Sequence, residues 1–156
     1  MAEPAFTLSR LAAADSACVA ALAAVFLASR RQAMPWLPEL HSEAETQAYL
    51  AGLPAEQHVW LAHDAAGCLV GFISFDAQWV HHLYLAPAVQ GQGLGAQLLA
   101  QALADGQARQ LWCFADNQRA RRFYQGQGFV QIDATDGAGN EERTPDVLLQ
   151  HPGGGI

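Results

Sequence analysis

Leu83-Tyr84-Leu85-Ala86-Pro87-Ala88-Val89-Gln90-Gly91-Gln92-Gly93-Leu94-Gly95 is the stretch on which the fold turns. Its first three residues read as the end of a strand, and its last begin a helix. Between them lies a glycine-rich loop. A helix start carries unpaired N–H groups and about half a positive charge. Glycines let that backbone close on a phosphate without side-chain clashes. The stretch therefore predicts an anion site, suited to a pyrophosphate, although the same glycines also suit a bare tight turn. It is not the dinucleotide fingerprint GxGxxG, because Ala96 stands where the third glycine would fall, and no βαβ unit opens the chain. Nor is it a P-loop, since the chain contains no lysine.

Working outward, the pattern alternates between periods of two and 3.6. Phe6-Thr7-Leu8 predicts a short strand. Asp15 or Ser16 caps a helix to about Arg31, with Val19, Leu22, Phe26 and Leu27 on one stripe. Met34-Pro35-Trp36-Leu37-Pro38 breaks it. Ser42 and Glu45 form a capping box for a second helix through Leu50, which Gly52 and Pro54 are expected to end. Val59–Ala62 and Leu69–Phe75 flank the turn Asp64-Ala65-Ala66-Gly67 as a hairpin. Val80–Leu85 is a further strand, and Leu94, Leu98, Ala102 and Leu103 give a helical face. Leu111–Phe114 predicts a buried strand. Asp116 or Asn117 caps a last helix carrying Ala120, Phe123 and Tyr124, and Phe129–Ile132 and Val147–Leu149 close the chain as strands. The order predicts an α/β fold of the α+β type with a mixed sheet. One domain over residues 1–150 is expected, with a flexible tail from His151 to Ile156.

Composition narrows the function classes. The chain has 156 residues, 51% hydrophobic and 15% charged, with a net charge of −7. That is globular composition. The eight basic residues are all arginine and form no nucleic-acid footprint. No apolar run approaches the ~20 residues of a membrane helix, and Met1-Ala2-Glu3-Pro4 does not resemble a secretory signal. A cytoplasmic protein is expected. Cys18, Cys68 and Cys113 lie far apart, and the six histidines show no metal-ligand spacing, so no metal is expected.

Two motifs carry a family resemblance. Gln90-Gly91-Gln92-Gly93-Leu94-Gly95 resembles the Q/R-x-x-G-x-G/A motif of the GNAT N-acetyltransferase superfamily. Asn117-Gln118-Arg119-Ala120-Arg121-Arg122-Phe123-Tyr124, followed by Gly128-Phe129, resembles its second motif. The resemblance covers Phe72 to Ile132 and implies about seven strands, mostly antiparallel, with four helices. It implies acetyl-CoA as co-substrate, held at its pyrophosphate by the main chain of Gln90, Gly91, Gln92, Gly93, Leu94 and Gly95. The strand Leu83, Tyr84, Leu85 would pair with the pantetheine arm beside a bulge, and an N–H near Leu83 would polarise the thioester carbonyl. Asn117 would bind the pantetheine, and Tyr124 would protonate the leaving thiolate as general acid. The superfamily often places a carboxylate base on this strand. Here His81-His82 stand instead, and His81 is the expected base, with His41 as its rival. One of Arg119, Arg121 and Arg122 could meet a coenzyme phosphate.

The acceptor side is expected at Met34, Trp36 and His41 in the helix–helix connection, and at Asn140, Glu141 and Glu142 in an acidic loop that would attract a cationic amine. The predicted activity is direct acetyl transfer to a primary amine, in a small molecule or a peptide. Ping-pong transfer through Cys113 or Cys68 is disfavoured because nothing nearby lowers a thiol pKa. A catalytically silent acyl-CoA-binding or sensor module is the alternative, and a nucleotide-binding regulatory domain a third reading. A homodimer is compatible with the resemblance, and neither a nucleic acid nor a membrane is expected as partner.

Overall fold

The computed structural model of the chain describes residues 5–154. Met1–Pro4, and with them the reading of the N-terminus, lie outside the described residues, as do the last two residues of the expected tail. The element order is β1 (Phe6–Leu11), α1 (Ser16–Ala33), α2 (Glu43–Glu56), β2 (His58–Asp64), β3 (Leu69–Phe75), β4 (Val80–Leu85), α3 (Leu94–Leu103), β5 (Arg109–Phe114), α4 (Gln118–Gly126), β6 (Val130–Thr135) and β7 (Asp146–His151). A single 3₁₀ turn, Pro87–Val89, interrupts the loop between β4 and α3.

The strands form two sheets, β1-β2-β3-β4 and β5-β7-β6, and every ladder is antiparallel. The parallel component of the expected mixed sheet shrinks to one isolated bridge, Trp79 to Gln110, backed by a 2.8 Å hydrogen bond from Gln110 N–H to Gln78 C=O. Beyond that bridge β4 and β5 diverge, which leaves the outer edge of β4 without a strand partner among the described residues.

Helices cover both faces. Leu94, Leu98, Leu99 and Ala102 of α3 pack with Ile73, Val80, Leu111 and Phe129 in one core. Leu22, Ala23 and Val25 of α1 and Leu50 and Leu53 of α2 pack with Val59, Leu61 and Phe72 in the other. Phe72 and Ile73 are adjacent and go to opposite cores, as strand alternation requires. β3 is buried almost throughout, so this central strand reads as a continuous apolar run.

Local signals explain the boundaries. The Asp15 carboxylate accepts from Cys18 N–H at 2.8 Å and starts α1. Ser42 and Glu45 close the expected capping box. Asp64 Oδ1 accepts from Ala66 and Cys68 N–H, and Gly67 at φ +85° completes the hairpin turn. Two boundaries differ from the sequence reading. α2 runs to Glu56 with Pro54 inside its last turn. A proline there forfeits one bond near the helix end, while buried Leu50 and Leu53 pin the turn to the core. β7 includes His151, and Gly154 N–H donates to Gly106 C=O at 2.7 Å, so the start of the expected tail is docked.

Candidate active site

The glycine loop ends where α3 begins. Gly93 is the N-cap, in the left-handed region at φ +81°, and has no side chain to satisfy the helix start. The first α3 bond runs from Gln97 N–H to Gly93 C=O. The amides of Gly93, Leu94, Gly95 and Ala96 are therefore left over at its N-terminus. Gly91 also has positive φ, +78°, while the side chains of Gln90 and Gln92 turn back onto the carbonyls of Leu85 and Ala88. Gly95 differs from its neighbours. A Cβ there would lie 3.2 Å from Phe123 Cζ, so its missing side chain serves the packing of α3 on α4.

The divergence of β4 and β5 opens a cleft of about 110 Å3 along Leu83 and Tyr84. Its walls include Cys113, Asn117 and Tyr124. Asn117 Oδ1 caps α4 by accepting from Ala120 N–H at 3.3 Å, which leaves its amide nitrogen for other work. Tyr124 is partly buried against Phe123 and Phe129, and its hydroxyl makes no hydrogen bond among the described residues. Burial pushes its pKa well above the ordinary phenol value, with Cys113 and Tyr84 adding, so the phenol stays protonated at neutral pH. Burial likewise pushes the Cys113 thiol up to about 11, which keeps it from being a nucleophile at pH 7.

A larger cavity of about 580 Å3 lies between α1, the α1–α2 connection, α2 and the β6–β7 loop. Phe26, Leu27, Met34, Leu37, Leu40 and Tyr49 make its apolar surface. Charged pairs cross its rim. His41 Nε2 is 2.9 Å from Glu141 Oε1 and its Nδ1 is 3.8 Å from Glu45. Hydrogen bonding to Glu141 raises the His41 pKa, with the charge of Glu141 adding. Arg30 donates to the Tyr84 hydroxyl at 3.3 Å, lies 3.7 Å from Glu142 and stacks on Phe26.

The expected acceptor residues thus divide. Met34, His41, Glu141 and Glu142 line this cavity, and Trp36 and Asn140 do not. Trp36 is 43% exposed and packs edge-on against Phe114. Its neighbours Pro35 and Leu37 take the wall instead. Asn140 braces its own loop, donating to Thr144 C=O at 2.7 Å and accepting from Thr144 N–H at 3.1 Å. The acidic loop is also less bare than its composition suggested, since Glu141 and Glu142 have cationic or titratable partners within the fold.

The histidine pair is redistributed too. Phe75 pairs with Val80 and Ser74 with His82, so His81 is the extra residue of a β-bulge. It is exposed, its Nε2 sits 2.7 Å from Asp76 Oδ2, and it lines the smaller cleft with Tyr124 but not the larger cavity. His82 lines both cavities. Arg121 is likewise occupied, by Ala115 C=O at 2.9 Å and Gln131 at 3.0 Å, as a brace of α4. Sequence reasoning missed Tyr49 and Arg30, because neither lies in a motif. Among the described residues no group of three or more His, Cys, Asp or Glu could hold a metal ion.

Comparison with known proteins agrees with this architecture. The chain is 33% identical over 91 residues to an uncharacterized N-acetyltransferase of Archaeoglobus fulgidus, an alignment covering 48% of this chain and 61% of that protein. The chain thus spans less than two thirds of that relative's length. The apo form of YjaB from Escherichia coli superposes with a TM-score of 0.75 at 21% identity, over 96% of this chain and 99% of the other. The PaiA N-acetyltransferase of Thermoplasma acidophilum, solved in complex with coenzyme A, superposes with a TM-score of 0.71 at 19% identity, over 94% and 99%. Residues 22–129, which contain the glycine loop, the cleft and both ends of α4, match the model of the acetyltransferase (GNAT) family, and the chain belongs to that family.

Proposed function

We propose that the protein is an acetyl-CoA-dependent N-acetyltransferase that moves the acetyl group directly to a primary amine. The observation that carries this reading is a set of features strung along β4. The free edge of β4 runs past the cleft at Tyr124 and leads in the chain to the unpaired amides at the start of α3, and the cleft shares Met34 and His82 with the larger cavity.

On this reading the amides of residues 91–96 bind the pyrophosphate of acetyl-CoA. The unpaired edge of β4 at Leu83, Tyr84 and Leu85 takes the pantetheine arm as an additional strand, and a main-chain N–H near Leu83 polarises the thioester carbonyl. The Asn117 amide hydrogen-bonds the same arm. Tyr124 faces the sulfur. A phenol held protonated by burial is in the right state to donate as the thiolate departs. The raised Cys113 pKa supports direct transfer over an acetyl-cysteine route. The acceptor enters the larger cavity, which suits an amine carried on an apolar body. Coenzyme A bound to the PaiA relative, and the acetyltransferase family itself, support the choice of donor.

The test is thiol release from acetyl-CoA with a panel of aromatic amines, polyamines and peptides bearing a free N-terminus. Turnover with any of them supports the reading. Tight acetyl-CoA binding with no turnover across the panel would leave a silent acyl-CoA-binding module, and no binding at all would remove both.

A further inference from the structure

The two cavities share Met34 and His82, and of these only His82 can exchange a proton. Its ring is wedged between the helices and the sheet. It stacks on Tyr84 with centroids 5.9 Å apart and meets Tyr49 and Phe26 edge-on at 5.5 and 6.0 Å. Nε2 lies 2.7 Å from the Tyr49 hydroxyl. Nδ1 is buried and has no hydrogen-bond partner among the described residues. A buried polar nitrogen left unpaired is costly, and such atoms concentrate where a ligand or a reaction supplies the partner.

Resting on the N-acetyltransferase reading, we propose that His82 Nδ1 takes the proton of the acceptor amine, and that Tyr49 is the positioning residue that holds the ring in the tautomer for it. In that tautomer Nε2–H donates to the Tyr49 oxygen, and the lone pair stands on Nδ1. The neutral amine nitrogen bonds to the acetyl carbon and the C–S bond breaks. One N–H proton passes to Nδ1, and the departing sulfur takes the phenolic proton of Tyr124. The imidazolium then loses a proton to water and the phenolate gains one, which restores both groups.

The groups facing His82 are Arg30 from α1, Tyr49 from α2, and His81 and Tyr84 from β4, with Glu142 opposite Arg30. Burial, with His81 and Arg30 adding, pushes the His82 pKa down to about 4, so the ring is neutral at pH 7. A base this weak cannot strip a free ammonium. It takes its proton late, once bonding to the carbonyl carbon has made the nitrogen acidic. His81 lines only the smaller cleft, and beside the bulge its Nε2 is taken by Asp76.

The experiment uses the full chain and acetyl-CoA. Wild-type turnover is recorded with phenethylamine, spermidine and an alanyl tripeptide, and the best of these serves as probe. His82→Gln keeps a polar group near Tyr49 but cannot accept the proton. It is expected to lower kcat at least 100-fold, with KM for acetyl-CoA and for the probe within about threefold. His82→Ala should regain activity with added imidazole, in proportion to the neutral form. Tyr49→Phe should lower kcat about tenfold and change the His82 tautomer seen in its 15N spectrum. The proposal is overturned if His82→Gln keeps kcat within threefold, if its loss is matched by a rise in probe KM without imidazole rescue, or if His81→Gln suffers the loss instead. Absence of wild-type turnover with all three probes removes the transferase reading itself, and the role of His82 with it.

Discussion

Tyr124 and His82 are both partly buried titratable groups, and burial acts on them in opposite directions because it disfavours whichever form is charged. For Tyr124 the neutral form is the acid, so burial preserves a donor. Tyr124→Phe removes only the hydroxyl. It should lower kcat by roughly 10²–10⁴ while acetyl-CoA affinity by calorimetry stays within about threefold. An intact kcat would return Tyr124 to packing against Phe129. For His82 the neutral form is the base, and its depressed pKa has a consequence for stability. Between the ordinary value near 6.5 and about 4, the unfolded chain binds a proton that the folded chain refuses. The fold is therefore progressively destabilised as pH falls through that window. The thermal midpoint of wild type should drop more steeply than that of His82→Gln on acidification from pH 6.5 to 4.5. Parallel curves would show that His82 is already charged in the fold.

At the scale of elements, the glycines of one loop separate into different jobs. Gly93 is open on its Cβ side but sits at φ +81°, and Gly95 has ordinary helical geometry but lies against Phe123. Gly93→Ala should fold, at a cost of about 1–2 kcal/mol for the left-handed conformation. It should also weaken acetyl-CoA binding at least tenfold, because the amides at the start of α3 move. Gly95→Val should instead push α3 from α4 and lower the thermal midpoint, an overpacking cost of about 1–3 kcal/mol. Calorimetry with acetyl-CoA beside thermal melts of both variants separates the two roles. Equal effects on binding and stability in both would merge them.

Across the whole molecule, the larger cavity is built from segments far apart in the chain. His41 follows α1, and Glu141 lies one hundred positions later in the β6–β7 loop. Their contact closes one side of the rim. Glu141 raises the His41 pKa, so the ion pair is complete below the ordinary histidine value and is lost as pH rises through the higher folded value. An NMR titration should place the His41 midpoint above about 6.5 and return it toward that value in Glu141→Gln. An unchanged midpoint would mean that the two side chains do not meet in solution. Both are exposed, so the contact acts on the geometry of the rim more than on stability.

Much of this was legible beforehand because it is local. The Ser42–Glu45 capping box, the Asp64–Gly67 turn, the glycine loop opening α3 and the Asn117 cap are each specified by residues a few positions apart, where hydrogen-bond geometry follows from spacing. The two motifs placed Tyr124 and Asn117 beside one strand. The sequence by itself therefore determined the element order, the family and the loop, strand and helix cap on which the proposed coenzyme site rests. Tertiary structure alone decided which residues line the larger cavity, where the acceptor is proposed to bind. The bulge at His81 changes which histidine faces the helices, and a bulge is a relation between two strands that neither strand encodes alone. Tyr49 reaches His82 only because α2 packs over β4. Trp36 leaves the cavity for Phe114, and Asn140 turns inward to brace its loop, because each side chain follows the nearest packing or hydrogen-bond partner the assembled chain supplies.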